Sequence, residues 1–494
     1  MLSLNKSMII YVLSFLLAIV VGGIVPFALN SFKLNLYVEG SICLTILFFV
    51  IVISMKMGTR ILGEFDIFSP FIIPNILFLV IYVFKPLYII ITGEAGVGTF
   101  NVHNITENEM VAFNTALLYV LIGVLTYNGT LYYLLNFKTN NIISLTKIKM
   151  TKKFEKVVMN SWIKLIAIIS LVFTVFILGF LIVKAGGINT YINNLALRNV
   201  YLKDAGYILI LANISKITLF IFSIRIIFKK NNISKREKFI YSMLLIFSVT
   251  TLLLTGGRSS ILYGILTLII IRHYFYQKVK TRNIIAIGSL LFFFIIIVYR
   301  IVLRDKNFAS NSHLSFFEIL SNAISDFPRY FFGGYDVIQF DALLTLLREK
   351  GTYNYLFGET ILATILSPIP RSIFPEKGYG AMTRFTEHFF PEFYYPNHVE
   401  VNISFLGEMY FNFGLLGIIA GFLLFSIILG GMYRIFLINA SGTFALVYAI
   451  SIVRIISLLR GDLFNFYIFY MQDILPLLVI ILMLKLTRRK SVVT

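Results

Sequence analysis

Apolar stretches long enough to cross a bilayer recur along almost the whole chain, separated by shorter polar or basic segments. A membrane span needs about 20 apolar residues. On that scale the runs at 8–30, 41–55, 69–92, 111–135, 162–184, 206–228, 239–255, 259–275, 284–302, 415–437, 444–459 and 463–485 read as membrane helices. The pattern predicts an all-α polytopic membrane protein of about 12 transmembrane helices. One transmembrane domain then covers 1–494, with a long external loop, 303–414, inserted between spans 9 and 10. The first run follows Lys6 and is not trailed by a small-residue cleavage site, so it reads as a retained helix and not as a signal peptide.

Charge orients the spans. Lys138, Lys147, Lys149, Lys152, Lys153 and Lys156 crowd one loop, and Lys229, Lys230, Lys235, Arg236 and Lys238 fill the next of the same parity. Arg272, Lys278, Lys280 and Arg282 follow, and the tail carries Lys485, Arg488, Arg489 and Lys490. All fall on one side of the predicted topology, which the positive-inside rule makes cytoplasmic, with both termini inside. The turn at Gly256, Gly257 and Arg258, between spans 7 and 8, then faces outward.

Composition agrees with this reading. Of 494 residues 58% are hydrophobic and 13% charged, whereas a soluble domain carries about 25% charged residues. The formal net charge of +20 arises from 43 Lys and Arg against 23 Asp and Glu. Topology accounts for much of that excess, so no nucleic-acid partner is implied. Cys43, the one cysteine, lies inside an apolar run and excludes an intramolecular disulfide.

The long loop is patterned. "SFFE" at 315–318 has capping-box spacing, and "DVIQFDALLTLLREK" at 336–350 reads as a second short helix; both are expected to lie along the membrane surface. Beyond them Pro368, Pro370 and Pro375 restrict the backbone around Arg371, and Lys377, Arg384, His388, His398, Glu400 and Glu408 follow among dense aromatics. Cations hold phosphate, and carboxylates or imidazoles move protons. Further cations on the predicted outer side are Arg198, Lys203, Arg304, Arg329, Arg348 and Arg460, mostly arginines where the inner loops favour lysine. A guanidinium fork matches phosphate oxygens in a way an ammonium cannot. No Walker A pattern, HExxH, Cys/His metal spacing or Asp-x-Asp pair occurs, and "GEAGVG" at 93–98 lacks dinucleotide-binding spacing. These absences argue against an ATPase or a nucleotide-sugar-dependent enzyme, and no metal or cofactor is expected.

"LTGGRSSIL" after span 7, followed by "PRSIFPEKGYG" and "SFLGEMYFNFGLLG" closing the long loop, resembles the bacterial oligosaccharide repeat-unit polymerases, the Wzy-type polymerases of O-antigen and capsule synthesis. The resemblance runs from span 7 to span 10 and extends to the number of spans and the late external loop. It implies a GT-C-like membrane glycosyltransferase that moves a growing glycan from undecaprenyl pyrophosphate onto the next lipid-linked repeat unit. Its partners would be the lipid-linked donor and acceptor, the bilayer, a chain-length regulator and a flippase. By motif, Arg258 and Arg371 would contact the pyrophosphate, with Lys377 nearby. Arg384 and Arg198 are further candidates for the same anion. Glu408 would support or join the catalytic centre, and Glu408, Glu400 or His398 would accept the proton. Two other readings remain: a lipid-linked oligosaccharide flippase or transporter, and an O-antigen ligase. A transporter should show internal repeat symmetry.

Overall fold

Hydrocarbon offers backbone amides and carbonyls no water, so an apolar run inside a membrane has to satisfy them within itself, as a helix does. A computed structural model describes residues 36–92, 107–136, 161–193, 208, 211–228, 234–254, 258–275, 278–292, 316–334, 337–369, 371, 373–439 and 442–474. Among them every regular element is helical and no strand occurs. Among the described residues six helices are long and apolar enough to cross a membrane, as expected of a polytopic membrane protein. The expected first span, 8–30, lies outside the described residues.

Helix α1 is Leu36–Leu62, longer at both ends than the apolar run 41–55. The next crossing is built from α2 (Ile73–Leu79), a π-turn (Val80–Phe84) and α3 (Lys85–Thr92). Then come α4 (Glu107–Asn136), α5 (Ser161–Lys184) and the short α6 (Ile188–Asn193). They are followed by α7 (Lys216–Phe228), α8 (Lys235–Leu254), α9 (Arg258–Phe275) and α10 (Thr281–Phe292). The long loop carries α11 (Phe316–Ser325), α12 (Phe327–Phe332), α13 (Gln339–Arg348), α14 (Glu359–Ile365), α15 (Ala381–Phe389) and α16 (Pro391–Asn397). Helices α17 (Ser404–Asn439) and α18 (Gly442–Arg460) and a last helical stretch, 463–474, complete it. The main core forms where α4 packs against α1 and α17, with α18 beside α17 and α9.

Two features of this bundle were not expected. Helix α13 is not a peripheral helix with one exposed face: eight consecutive residues, Gln339–Leu346, are buried, and it packs between α4 and α17. The reason is an ion pair. Lys85, the first residue after the π-turn, places its ammonium 2.9 Å from Asp341 and 2.6 Å from the carbonyl of Phe332, and neither side chain of the pair is exposed. A charge inside an apolar bundle needs such a partner, which draws α13 inward. Burial still pushes the Asp341 carboxyl up to about 6, against the pull of Lys85. For the "SFFE" segment, α11 begins at Phe316, while Ser315 lies outside the described residues.

The second feature is a fold-back in α17. Phe413 (φ −139°, ψ 15°) and Gly414 (φ 62°, ψ −146°) break the helix. The piece 404–412 turns along 415–439, with the Phe405 ring 5.4 Å from Phe422 and 5.6 Å from Phe425. In a straight helix residues 405 and 425 would be about 30 Å apart. Gly414 supplies the positive φ, and at Gly417 a Cβ would stand 2.1 Å from the carbonyl oxygen of Met409, so only glycine fits the return. The part after the turn remains long enough for one crossing, and the part before it carries Glu408 into the loop-bearing end of the bundle.

Candidate functional site

Three acidic residues meet at the loop-bearing end: Glu400, Glu408 and Asp462. Asp462 follows the end of α18 after a single glycine, in "RGD" at 460–462. Its Oδ2 accepts the Met382 N–H (3.0 Å) in the first turn of α15, and its Oδ1 accepts the Asn465 N–H (2.8 Å). One carboxylate thus caps two helix starts that the chain keeps 80 residues apart. The fit is close, since a Cβ on Gly380 would come within 2.7 Å of Oδ2. Burial raises the Asp462 carboxyl above its usual range, while these backbone hydrogen bonds oppose the rise.

Glu408 is fully buried, and both its oxygens are taken. Oε1 accepts the Thr360 hydroxyl (2.8 Å) on α14 and Oε2 accepts the Leu463 N–H (2.7 Å). Asn412, one turn on, donates to Thr360 Oγ1 (2.8 Å) and accepts the Gly358 N–H (3.0 Å). Glu408 and Asn412 therefore pin α14, the folded-back piece of α17 and the end of α18 together.

Glu400 differs. It is only partly buried and accepts the hydroxyl of Thr383 on α15. Burial pushes its carboxyl up to about 7, the hydrogen bonds from Thr383 and Asn465 work against the rise, and the charge of Asp462 adds to it. Thr386 holds the same segment in place by accepting the Val401 N–H (2.8 Å).

Arg384, the residue after Thr383, belongs to a cationic shelf. Its Nε lies 3.0 Å from Glu359 Oε1, and its guanidinium carbon is 5.9 Å from the Tyr379 ring centroid. Arg371 approaches the same ring to 4.0 Å. Arg371 Nη1 donates to the carbonyls of Pro375 (3.3 Å) and Lys377 (2.9 Å), and Nη2 donates to that of Gly378 (3.1 Å). Part of its fork therefore folds its own loop. Lys377 does not point from this shelf as expected. Its buried ammonium donates to the carbonyls of Ser367 (3.1 Å) and Ile369, and burial with Arg371 nearby lowers its proton affinity. A loop stiffened by prolines leaves carbonyls without helical partners, and Lys377 satisfies them.

The structure thus brings Arg371 and Arg384 to one ring, and Glu400 and Glu408 to one acidic cluster. His398 is the left-handed C-cap of α16 (φ 47°), and its ring packs edge-on against Tyr394, 5.2 Å away. Arg258 is the first residue of α9, its side chain lying outside the described residues, as does the whole of Arg198. Among the described residues no group of three or more His, Cys, Asp or Glu is placed to hold a metal ion. Sequence reasoning passed over Asp462, whose segment drew notice only for Arg460. It also passed over Lys85, Lys216, Arg454 and Asp473, each an ionisable residue within an apolar run and for that reason a signal.

A family model described as O-antigen polysaccharide polymerase Wzy matches residues 6–490. No curated protein and no solved structure matches the chain.

Proposed function

The chain belongs to the O-antigen polysaccharide polymerase Wzy family, and from that premise we propose that it joins undecaprenyl-pyrophosphate-linked repeat units into O-antigen or capsular polysaccharide on the outer face of the cytoplasmic membrane. About 12 spans in a GT-C-like arrangement, with both termini cytoplasmic, belong to the same reading. So do a flippase that delivers the units and a chain-length regulator.

The reading rests on one observation above all. Consecutive residues of α15 hold the two halves of the chemistry: Thr383 binds the Glu400 carboxyl and Arg384 stands at the Tyr379 ring with Arg371. In the reaction, an acceptor-sugar hydroxyl attacks the anomeric carbon of the donor glycan. The bond from that carbon to the pyrophosphate oxygen breaks, the electron pair leaves with the lipid pyrophosphate, and the hydroxyl proton passes to Glu400. A carboxyl pushed up to about 7 is ionised in part at neutral pH and still holds a proton well, which suits a general base. Arg371 and Arg384 stabilise the charge growing on the leaving pyrophosphate without needing a metal. By the motif resemblance Arg258 serves the same pyrophosphate, with Arg198 as a further candidate. Glu408 and Lys377 hold the frame, and His398 fixes the turn that presents Glu400.

The test is the glycan of a strain lacking the gene. A polymerase leaves single repeat units in place and removes long polymer. Loss of lipid-linked units from the outer face would instead indicate a flippase, and long polymer left on its lipid carrier would indicate a ligase.

A further inference from the structure

Below the acidic cluster lies a second charged centre, inside the bundle. Asp473 accepts the Lys216 ammonium on Oδ1 (2.7 Å) and the Arg454 guanidinium on Oδ2, and all three side chains are buried. Arg454 lies six residues before Arg460, the end of α18, or about 9 Å down the helix. Its guanidinium carbon is 4.9 Å from the ring of Tyr263 on α9 and 5.5 Å from that of Phe469. Tyr263 in turn is five residues, about 7.5 Å, below Arg258 at the start of α9. The centre therefore sits about two turns along α9 from Arg258 and along α18 from Arg460.

Among the described residues its charges do not balance. Two cations share one carboxylate, and Arg454 Nη2 is buried with no hydrogen-bond partner among the described residues. A structural ion pair in apolar surroundings is stable when every donor and charge is matched, and a surplus cation with a vacant donor is costly there. The two carboxylate oxygens of Asp473, each facing a different cation, copy the way phosphate oxygens bridge an ammonium and a guanidinium.

We propose that Lys216 and Arg454 form an intramembrane phosphate site for the pyrophosphate of a lipid-linked substrate or product, with Asp473 as the counter-ion that holds the site when no ligand is bound. The inference deepens the polymerase reading and rests on it. Joining two lipid-linked units requires holding two pyrophosphates at once, one leaving and one retained by the acceptor. The loop arginines serve one and this centre serves the other.

The experiment measures ligand protection, so its failure is separate from a failure to make polymer. Purified full-length protein in lipid nanodiscs is melted with geranylgeranyl pyrophosphate, with geranylgeraniol and with inorganic pyrophosphate. The prenyl pyrophosphate should raise the melting temperature and the alcohol should not. Equal protection by inorganic pyrophosphate would assign the site to free pyrophosphate and still support it as a phosphate site. Lys216→Met and Arg454→Met should each weaken protection about tenfold or more, the size of one charge-assisted contact. Asp473→Asn should tighten it by a similar factor, because the competing carboxylate is gone. Arg454→Gln, which keeps a side-chain donor and loses the charge, covers the case in which the methionine variant does not fold. Folded Arg454→Met or Arg454→Gln protein protected like the wild type would overturn the proposal, since the loop arginines would then account for all binding.

Discussion

Two acidic centres stand at opposite ends of the bundle. At one end Asp66, between α1 and α2, accepts the hydroxyls of Tyr274 and Tyr433 (2.7 Å each) on Oδ2 and the Phe68 N–H (3.0 Å) on Oδ1. Tyr448 closes the same knot by donating to the Phe68 carbonyl (2.6 Å). At the other end Glu400 is partly open and accepts Thr383, with Arg371 and Arg384 nearby at Tyr379. Burial raises both carboxyls above their usual range. Raised proton affinity alone therefore does not mark chemistry. What separates the two is exposure: Asp66 is fully buried and gives its acceptor capacity to the fold, tying α9 and α17 to one loop, whereas Glu400, held by Thr383 and Asn465, still has a partly exposed side that a partner can reach.

The largest expected effect breaks the comparison most directly. Glu400→Gln should lower polymer formation by about two to four decades, the usual weight of a general base, with protein level and melting temperature little changed. Asp66→Ala should do the reverse. It strands two buried hydroxyls and a backbone N–H, costing about 3 kcal/mol or more, while each surviving folded molecule still makes polymer. Glycan length on gels, scaled to protein abundance, reads both. Stable but inactive Asp66→Ala protein would erase the distinction.

The cationic shelf sharpens it. Arg371→Ala, Arg384→Ala and Arg258→Ala should each reduce polymer formation by about two to three decades, and Arg→Lys should restore only part, because a point charge lacks the fork. Normal long polymer from well-expressed Arg384→Ala would leave Glu400 without its leaving-group partner and count against the site.

Glu408 should fall on the Asp66 side. Glu408→Gln can keep only one of its two accepted hydrogen bonds, from Thr360 or from Leu463, so it should cost about 1–3 kcal/mol in thermal unfolding. An activity loss without a stability loss would move Glu408 into the chemistry instead.

The smallest effect is in pH. Glu400 must be ionised to accept a proton, so polymer synthesis in membranes should rise about tenfold per unit below pH 7 and level off above it. Its contribution to stability has the opposite slope. The folded value near 7 lies above the ordinary 4.5, so the neutral acid favours the fold: that contribution is complete below about 4.5 and is lost as pH rises through 7. Glu400→Gln should remove both slopes, and a profile unchanged by it would assign the titration elsewhere.

The sequence by itself determined the membrane class, the all-helical character and the stretches that carry the candidate site. Apolar length is a one-dimensional quantity that the bilayer reads directly. The segment 367–418 was singled out by its prolines, cations and acids, and that is where Arg371, Arg384, Glu400 and Glu408 stand. Tertiary structure decided what each does. Pairing Lys85 with Asp341 draws α13 inward across 256 residues of chain, which no local amphipathic pattern encodes. Turning α17 back at Gly414 brings Glu408 onto Thr360 and Leu463, so a motif acid becomes a tie. Satisfying loop carbonyls turns Lys377 inward, and capping two helices brings Asp462 beside Glu400. Each of these depends on which buried donor meets which acceptor, and that is settled only when distant segments close on one another.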